Sequence, residues 1–222
     1  MGRAGRQRVD FAKVRALMRS YARNLGTSVS IAELQSDLSA NSDKTLADNT
    51  VVHYLEKLRE IFVIEDLPAW IPNLRSKTAI RTSDTRYFSD PSIGTAALGI
   101  GPADLINDLK SFGFFFEALC IRDLRVYAES LGGRVYHYRD KNGAECDAVV
   151  HLRDGRYGLI EIKLGATEAV EYGASTLKKV ANKLDTTKMK QPSFLMVLTG
   201  VGRYAYKRED GVLVVPIGCL KD

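Results

Sequence analysis

The apolar positions near the N-terminus recur at three- and four-residue steps, which predicts a helix that closes at Gly26. The positions that define this period are Phe11, Val14, Met18, Tyr21 and Leu25. A second helix is predicted over residues 28–38, because Ser30 and Glu33 have the spacing of a capping box. A third is predicted over residues 48–61.

The third predicted helix has Asp48 or Asn49 as its N-cap and leads into an extended segment. The extended segments that would form a wing are Phe62–Ile64, Ala79–Arg81 and Arg86–Phe88. Three short helices followed by a wing predict a winged helix-turn-helix domain over residues 1–90. Residues 91–112 are rich in Gly, Pro, Ser and Asp and are interpreted as a linker.

The C-terminal part, residues 113–222, has the pattern of a mixed sheet between two helices. The predicted elements are a helix at 114–131, strands at 134–139, 146–152 and 157–164, a helix at 168–184, a strand at 193–199 and a closing hairpin at 203–219. The order is α-β-β-β-α-β, and the expected class of the whole chain is α/β (α+β).

Composition changes this picture little. The 222 residues are 45% hydrophobic and 27% charged, as in ordinary globular proteins, and fibrous or wholly disordered classes are excluded. The net charge is +5, and residues 1–23 contain seven Lys and Arg against one acid, Asp10. The rest of the chain is therefore close to neutral, so a polyanion contact should be local.

The expected location is the cytoplasm, without a membrane contact. The apolar runs, such as Phe194–Leu198, are far shorter than a membrane span, and the basic N-terminus lacks the apolar stretch of a secretory signal. The three cysteines are widely spaced and offer neither an even disulfide set nor a zinc pair.

Charged side chains interrupt two of the predicted strands. If residues 153–155 form a three-residue hairpin loop with Gly155 in the left-handed conformation, Asp147 stands opposite Glu161. Lys163 is two residues from Glu161 and projects from the same face of the strand. Two facing carboxylates repel unless they share a proton or a cation, so either a metal site or an ordinary salt-bridge cluster satisfies this spacing.

Glu117 favours the metal site, because it lies on the apolar face of the predicted 114–131 helix. A glutamate is costly to bury unless it is paired or binds a metal, and this one would point toward Asp147 and Glu161. Hard oxygen ligands suit Mg²⁺ or Mn²⁺. Lys163 beside the ion could orient or activate a water for attack on a phosphodiester.

The sequence resembles the PD-(D/E)xK nuclease-like superfamily at Glu117, Asp147 and Glu161–Lys163. Four segments resemble one branch of it, the C-terminal region of prokaryotic AAA-type ATPases, domain-of-unknown-function family 4143. These segments are Arg86–Pro91, Gly113–Glu117, Tyr138–Asp147 and Glu161–Leu164. The resemblance covers nearly the whole chain, winged helix included, and implies a restriction-endonuclease-like domain.

The resemblance also implies roles for individual residues. Asp147, Glu161 and the carbonyl of Ile162 would bind Mg²⁺, Glu117 would complete the site, and Lys163 would assist the water. The ATPase half of such proteins carries a P-loop, and no Gly-x-x-x-x-Gly-Lys-[Ser/Thr] occurs in this chain. ATP is therefore expected only in a longer protein that includes that half.

Two functions remain open at this point. The chain is either a module that binds DNA, the ATPase or another protein partner, or a Mg²⁺-dependent DNA endo- or exonuclease whose catalytic residues are Asp147, Glu161 and Lys163. The candidate nucleic-acid contacts are Arg15, Arg19, Lys178, Lys179 and Lys183.

Overall fold

The computed structural model describes residues 10–41, 47–72, 83–165, 167–187 and 189–221. Its helices are α1 (Phe11–Arg23), α2 (Ile31–Asn41), α3 (Asp48–Glu60), α4 (Pro91–Leu98), α5 (Pro102–Asn107), α6 (Leu109–Ser130) and α7 (Thr167–Lys183). Its strands are β1 (Gly133–Arg139), β2 (Glu145–Leu152), β3 (Tyr157–Lys163), β4 (Phe194–Thr199), β5 (Tyr206–Lys207) and β6 (Leu213–Pro216), and a short 3₁₀ turn spans Ile217–Cys219. The chain is thus a mixed α/β protein.

The first two helices form where their period and caps predict them. Asp10 caps α1 by accepting hydrogen bonds from the first-turn amides, and Leu17, Ser20 and Tyr21 are fully buried on this helix. Phe11, by contrast, is 70% exposed, because the helix begins there and its first turn lies outside the core. The capping box of α2 is confirmed, since Ser30 N donates to Glu33 Oε2 at 2.7 Å and Glu33 N donates to Ser30 Oγ at 3.2 Å.

The two ends of α3 differ from the prediction. Ala47 occupies the N-cap position without a side-chain hydrogen bond, and Asp48 is already helical. At the other end Phe62 is not in a strand but has φ of 57°, and the amide of Val63 donates to Leu58 O. This left-handed residue turns the chain out of the helix, as glycine usually does.

The chain after α3 pairs with the segment that precedes α4. Antiparallel bridges join Ile64 to Phe88 and Leu67 to Thr85. Residues 86–88, predicted as a wing strand, thus take part in isolated bridges beside the chain that follows α3. The predicted strand at 79–81 falls outside the described residues. The interpreted linker at 91–112 contains α4, α5 and the start of α6.

The six strands form one sheet in the order β1-β2-β3-β4-β6-β5. The β1, β2 and β3 ladders are antiparallel, β4 is parallel to β3 and to β6, and β5 closes the edge antiparallel to β6. The order α6-β1-β2-β3-α7-β4 is the α-β-β-β-α-β order expected from the sequence. Strand bounds agree with the predicted ones to within a residue or two, except in the closing hairpin.

Two apolar cores lie on opposite faces of this sheet. On one face α6 packs with β3 and β4 residues such as Ile160 and Leu198, and this core continues without a break into α1, α2 and α3. On the other face α7 packs with Leu159 and Val197 and with Trp70 from the N-terminal part. The two parts of the chain thus share their hydrophobic core. Of the helices in the described ranges, none combines the length and the apolar character needed to cross a membrane.

Candidate active site

The β2–β3 hairpin sets the register of the candidate site. Gly155 has φ of +82° in the connecting loop, and the amide of Leu152 donates to Arg156 O at 2.8 Å. The ladder then runs from His151 opposite Tyr157 to Ala148 opposite Ile160. This is the register predicted from the loop, and it ends one residue before Asp147 would face Glu161.

A β-bulge lies at Asp147. Tyr136 pairs with Val149 and Tyr138 pairs with Cys146, so Asp147 and Ala148 together oppose the single residue His137. Bulges interrupt a ladder and redirect side chains. Here the bulge coincides with the end of the β2–β3 ladder. Asp147 therefore lies in the fork, the place where β2 and β3 cease to pair. The sequence contains no signal that predicts this bulge.

The carboxylate of Asp147 reaches across the fork to β3. Its Oδ2 accepts a hydrogen bond of 2.7 Å from the amide of Ile162 and lies 3.5 Å from Lys163 Nζ. The same ammonium lies 2.8 Å from Glu161 Oε1. Lys163 therefore stands between the two carboxylates. Its side chain is 23% exposed, whereas the side chain of Glu161 is 4% exposed.

Glu161 is the most enclosed member of the cluster. Its Oε2 is buried and has no hydrogen-bond partner in the described part of the chain. The backbone of α7 closes over it at Gly173, where a Cβ atom would lie 3.3 Å from Glu161 Cγ and 3.2 Å from Val197 Cγ2. A buried carboxylate oxygen without a partner is costly unless it carries a proton or meets a cation.

Glu117 joins the cluster from α6, as its place on the apolar face of that helix predicted. Its Oε1 accepts a hydrogen bond from the hydroxyl of Tyr87, which comes from the N-terminal part of the chain. Tyr87 is almost fully buried, and burial together with the charge of Glu117 raises the pKa of its phenol. The phenol therefore stays neutral and remains a donor.

Burial controls the protonation of the three carboxyl groups. It raises the pKa of Glu117 to about 8 and that of Glu161 to about 8, and in both cases the charge of Asp147 adds to the effect. The pKa of Asp147 is also raised by burial, against the opposing effects of Lys163 and the Ile162 amide. Burial lowers the pKa of Lys163, but Asp147 and Glu161 outweigh it and hold that pKa above its ordinary value.

The cluster opens into a cavity of about 330 Å³. Glu117 and Asp147 line it from the sheet side, and Tyr87 and residues 26–28 line it from the N-terminal part. Arg139 and His137 also contribute to its wall. Two of the predicted carboxylates are therefore accessible to a small ligand or to one end of a larger one.

As the side chains stand, no three His, Cys, Asp or Glu groups within the described ranges have the arrangement of a metal site. The chemistry of the donors nevertheless fits a hard cation, since they are carboxylate oxygens and one of them is buried with no partner in the described part of the chain. The positive charge between Asp147 and Glu161 is supplied by Lys163.

The predicted nucleic-acid contacts lie on two helices, α1 and α7. Lys178 lies 2.7 Å from Asp210 and Lys183 lies 3.1 Å from Asp140, so both are already paired. Lys179 is exposed on α7. Arg15 and Arg19 are exposed on α1, where Arg19 Nε donates to Ala97 O at 3.4 Å.

The segment Arg86–Phe88 joins the two parts of the chain in a way that no local sequence pattern indicates. Arg86 Nη1 lies 2.9 Å from the buried carboxylate of Asp66, Tyr87 contacts Glu117, and Phe88 is in the core. This segment belongs to one of the four stretches that resemble family 4143. That resemblance is the only sequence signal that singles out Tyr87.

Two family models match the chain. Residues 112–220 match the family described as Domain of unknown function (DUF4143), so the resemblance to family 4143 is confirmed for that range. Residues 3–104 match a different family, Domain of unknown function (DUF8612). Contrary to the expectation, the match to family 4143 therefore does not extend over the N-terminal part. No curated protein and no solved structure matches. The chain is therefore similar to one domain family before α6 and to another from α6 onward.

Proposed function

We propose that the part of the chain from α6 onward is a PD-(D/E)xK nuclease-like domain that hydrolyses phosphodiester bonds of DNA with Mg²⁺ or Mn²⁺. The observation that carries this proposal is the buried Oε2 of Glu161, which has no hydrogen-bond partner in the described ranges although Lys163 contacts the other oxygen. The α-β-β-β-α-β order and the gathering of Glu117 and Asp147 beside it support the same proposal.

Asp147, Glu161 and Glu117, with the carbonyl of Ile162, would hold the cation. When bound, the ion would polarise a phosphoryl oxygen and offset the charge that develops during hydrolysis. The donor set supports Mg²⁺ or Mn²⁺ over zinc, because it consists of oxygens.

Lys163 would act as a cationic hydrogen-bond donor. Burial lowers its pKa, but Asp147 and Glu161 hold that pKa above the ordinary value, so the side chain carries a proton at neutral pH. It would therefore orient the attacking water or a phosphate oxygen and stabilise negative charge. The cavity beside Glu117 and Asp147 would admit the phosphodiester.

The test is a nuclease assay on plasmid and linear DNA with Mg²⁺ or Mn²⁺, together with thermal melts. Lys163→Ala should abolish cleavage, whereas Lys141→Ala, which removes an exposed lysine of the turn between β1 and β2, should leave it unchanged. Cleavage that survives Lys163→Ala would mean that the activity arises elsewhere.

A second candidate function is that of a binding module, in which the chain binds DNA, an AAA-type ATPase or another protein partner and the cluster is only structural. Lys163 favours it, because this ammonium already neutralises Asp147 and Glu161. In this case the parent would not cleave DNA, and Lys163→Ala would lower stability, because Asp147 and Glu161 would lose the ammonium that contacts them both.

The N-terminal part would then make the contacts. Helices α1 to α3, followed by the antiparallel pairing of residues 64–67 with 85–88, support a winged helix-turn-helix. Arg15 and Arg19 lie one turn apart on the exposed side of α1, a spacing that suits phosphate contacts. The three free cysteines support the prediction of a reducing cytoplasm.

A further inference from the structure

Two tyrosine rings lie exposed together at the edge of the sheet. Tyr204 is 72% exposed and Tyr206 is 46% exposed, yet their ring centroids are only 6.2 Å apart, in an edge-to-face arrangement. Tyr206 belongs to β5, the last strand of the sheet, so no further strand of the described chain covers it. Neither hydroxyl has a hydrogen-bond partner within the described ranges.

Two exposed cations flank these rings. Arg203 precedes Tyr204 and Lys207 follows Tyr206, and neither forms an ion pair with any described residue. Arg208, the next basic residue, does form an ion pair, with Glu171 at 2.5 Å. The segment Arg203–Lys207 thus combines two exposed cations, which form no ion pair with a described residue, and two exposed aromatic rings.

This segment begins close to the carboxylate cluster. The amide of Gly200 donates to Lys163 O at 3.2 Å, and Arg203 follows three residues later. Three residues span at most about 11 Å, so Arg203 begins within about 14 Å of the backbone carbonyl of Lys163. A further exposed ring, Tyr172 on α7, is 67% exposed, and its centroid lies 6.0 Å from Lys163 Nζ.

We propose that Arg203–Lys207 binds single-stranded nucleic acid and leads it toward the cluster, with Tyr172 as a further stacking position. The inference rests on the proposed function and adds the substrate class. Flat rings suit unpaired bases, and cations beside them suit the phosphates of the same strand. A duplex keeps its bases paired and stacked, so their faces are not available to Tyr204 and Tyr206.

The experiment measures binding without cleavage, by fluorescence anisotropy in EDTA at several salt concentrations. The probes are a labelled DNA strand of about 20 nucleotides, longer than the site of a single binding domain, the same sequence as a duplex, and the same sequence as RNA. The parent should bind both single strands more tightly than the duplex. If only one of the two single strands binds, that result identifies whether the substrate is DNA or RNA.

Paired substitutions separate stacking from charge. Tyr204→Ala with Tyr206→Ala should weaken single-strand binding at least about 10-fold, whereas Tyr204→Phe with Tyr206→Phe should preserve it, because the rings remain. Arg203→Ala with Lys207→Ala should flatten the salt dependence by about 0.7 in log–log slope per lost contact. Val126→Ala shortens an apolar side chain that is 64% exposed on α6, away from both candidate binding surfaces, and should change nothing.

The inference is overturned if the parent does not bind single strands or binds the duplex equally well, or if the alanine pair binds as the parent does. It is also overturned if the phenylalanine pair loses as much affinity as the alanine pair. Failure of the proposed function would look different. Tyrosine-dependent binding of single strands without any cleavage in Mg²⁺ or Mn²⁺ would leave this binding segment intact and remove the phosphodiesterase.

Discussion

The hydroxyl of Tyr87 donates a hydrogen bond to Glu117, and this contact joins the N-terminal part of the chain to the carboxylate cluster. Tyr87 lies in the segment that pairs with the chain after α3, and Glu117 lies on α6. The two residues belong to ranges that match two different families. The cluster is therefore completed across the boundary between the two matched ranges.

Tyr87→Phe should destabilise the protein by about 1–2 kcal/mol, because it leaves a buried glutamate oxygen without its donor. It should also raise the pKa of Glu117 further, since the Tyr87 hydrogen bond opposes the effect of burial. Urea unfolding at pH 7 measures the first effect. Tyr136→Phe is the matched control, because the Tyr136 hydroxyl has no hydrogen bond within the described ranges, and equal losses in the two variants would contradict the prediction.

The free energy of unfolding should fall as the pH rises from 6.5 to 8. Unfolded glutamates lose their protons near pH 4.5, whereas Glu117 and Glu161 keep theirs until about pH 8, so the folded state binds more protons over this interval. The expected loss is at least about 1.4 kcal/mol, the equivalent of one pKa unit. Burial lowers the pKa of His137. The titration of this histidine makes the free energy of unfolding rise with pH at lower pH, and for that reason the measured interval begins at pH 6.5.

Glu161→Gln tests the assignment of that pH dependence. The amide cannot ionise, so the variant should show a shallower decline than the parent between pH 6.5 and 8, as measured by urea unfolding in metal-free buffer. A parent whose stability is constant over this interval would mean that neither glutamate holds its proton in the folded state.

Mg²⁺ or Mn²⁺ should raise the thermal stability of the parent. A ligand that binds only the folded state contributes about 2.7 kcal/mol at 100 times its dissociation constant. The shift in Tm should be larger at pH 8 than at pH 6.5, because the carboxyl groups must lose their protons to bind the ion. Differential scanning calorimetry with and without the ion, at both pH values, measures this shift in Tm.

Asp147→Ala should abolish that metal-dependent shift. Asp154→Ala should retain it, because Asp154 lies in the exposed β2–β3 loop and bonds to Arg156. A parent that melts at the same temperature with and without either ion would remove the metal from the proposed function.

Two glycines near the ends of α6 should respond to alanine in opposite ways. At Gly133 a Cβ atom would lie 2.9 Å from His151 O and 2.5 Å from Leu152 Cδ2, so Gly133→Ala should cost about 1–3 kcal/mol. At Gly113 a Cβ atom would meet nothing within 4 Å, and Gly113→Ala should stabilise α6 by up to about 1 kcal/mol. Chemical unfolding of both variants checks the packing of this helix on the sheet.

Local patterns predicted the elements on which the site depends. The three-residue loop with Gly155 was sufficient to predict the β2–β3 register, because a hairpin loop fixes every pairing that follows it. The apolar period of α6 likewise indicated that Glu117 faces inward. Both predictions depend only on residues close together in the chain.

The contacts of the site were decided by packing between distant segments. The bulge at Asp147 accompanies the pairing of His137 with the chain near Pro68 and Trp70, which no local period reveals. The ion pairs of Lys178 and Lys183 depend on Asp210 and Asp140, each more than 30 residues away.

The sequence by itself therefore determined the order of elements, the hairpin register and the identity of the four charged residues, because turn geometry and hydrophobic period act over a few residues. Only the tertiary structure decided that Lys163 stands between two carboxylates, that Tyr87 contacts Glu117 and that a buried oxygen of Glu161 has no partner among the described residues. These features arise where α6, α7 and the N-terminal part enclose the fork between β2 and β3. Burial there sets the protonation of each group, and burial is a property of the packed chain.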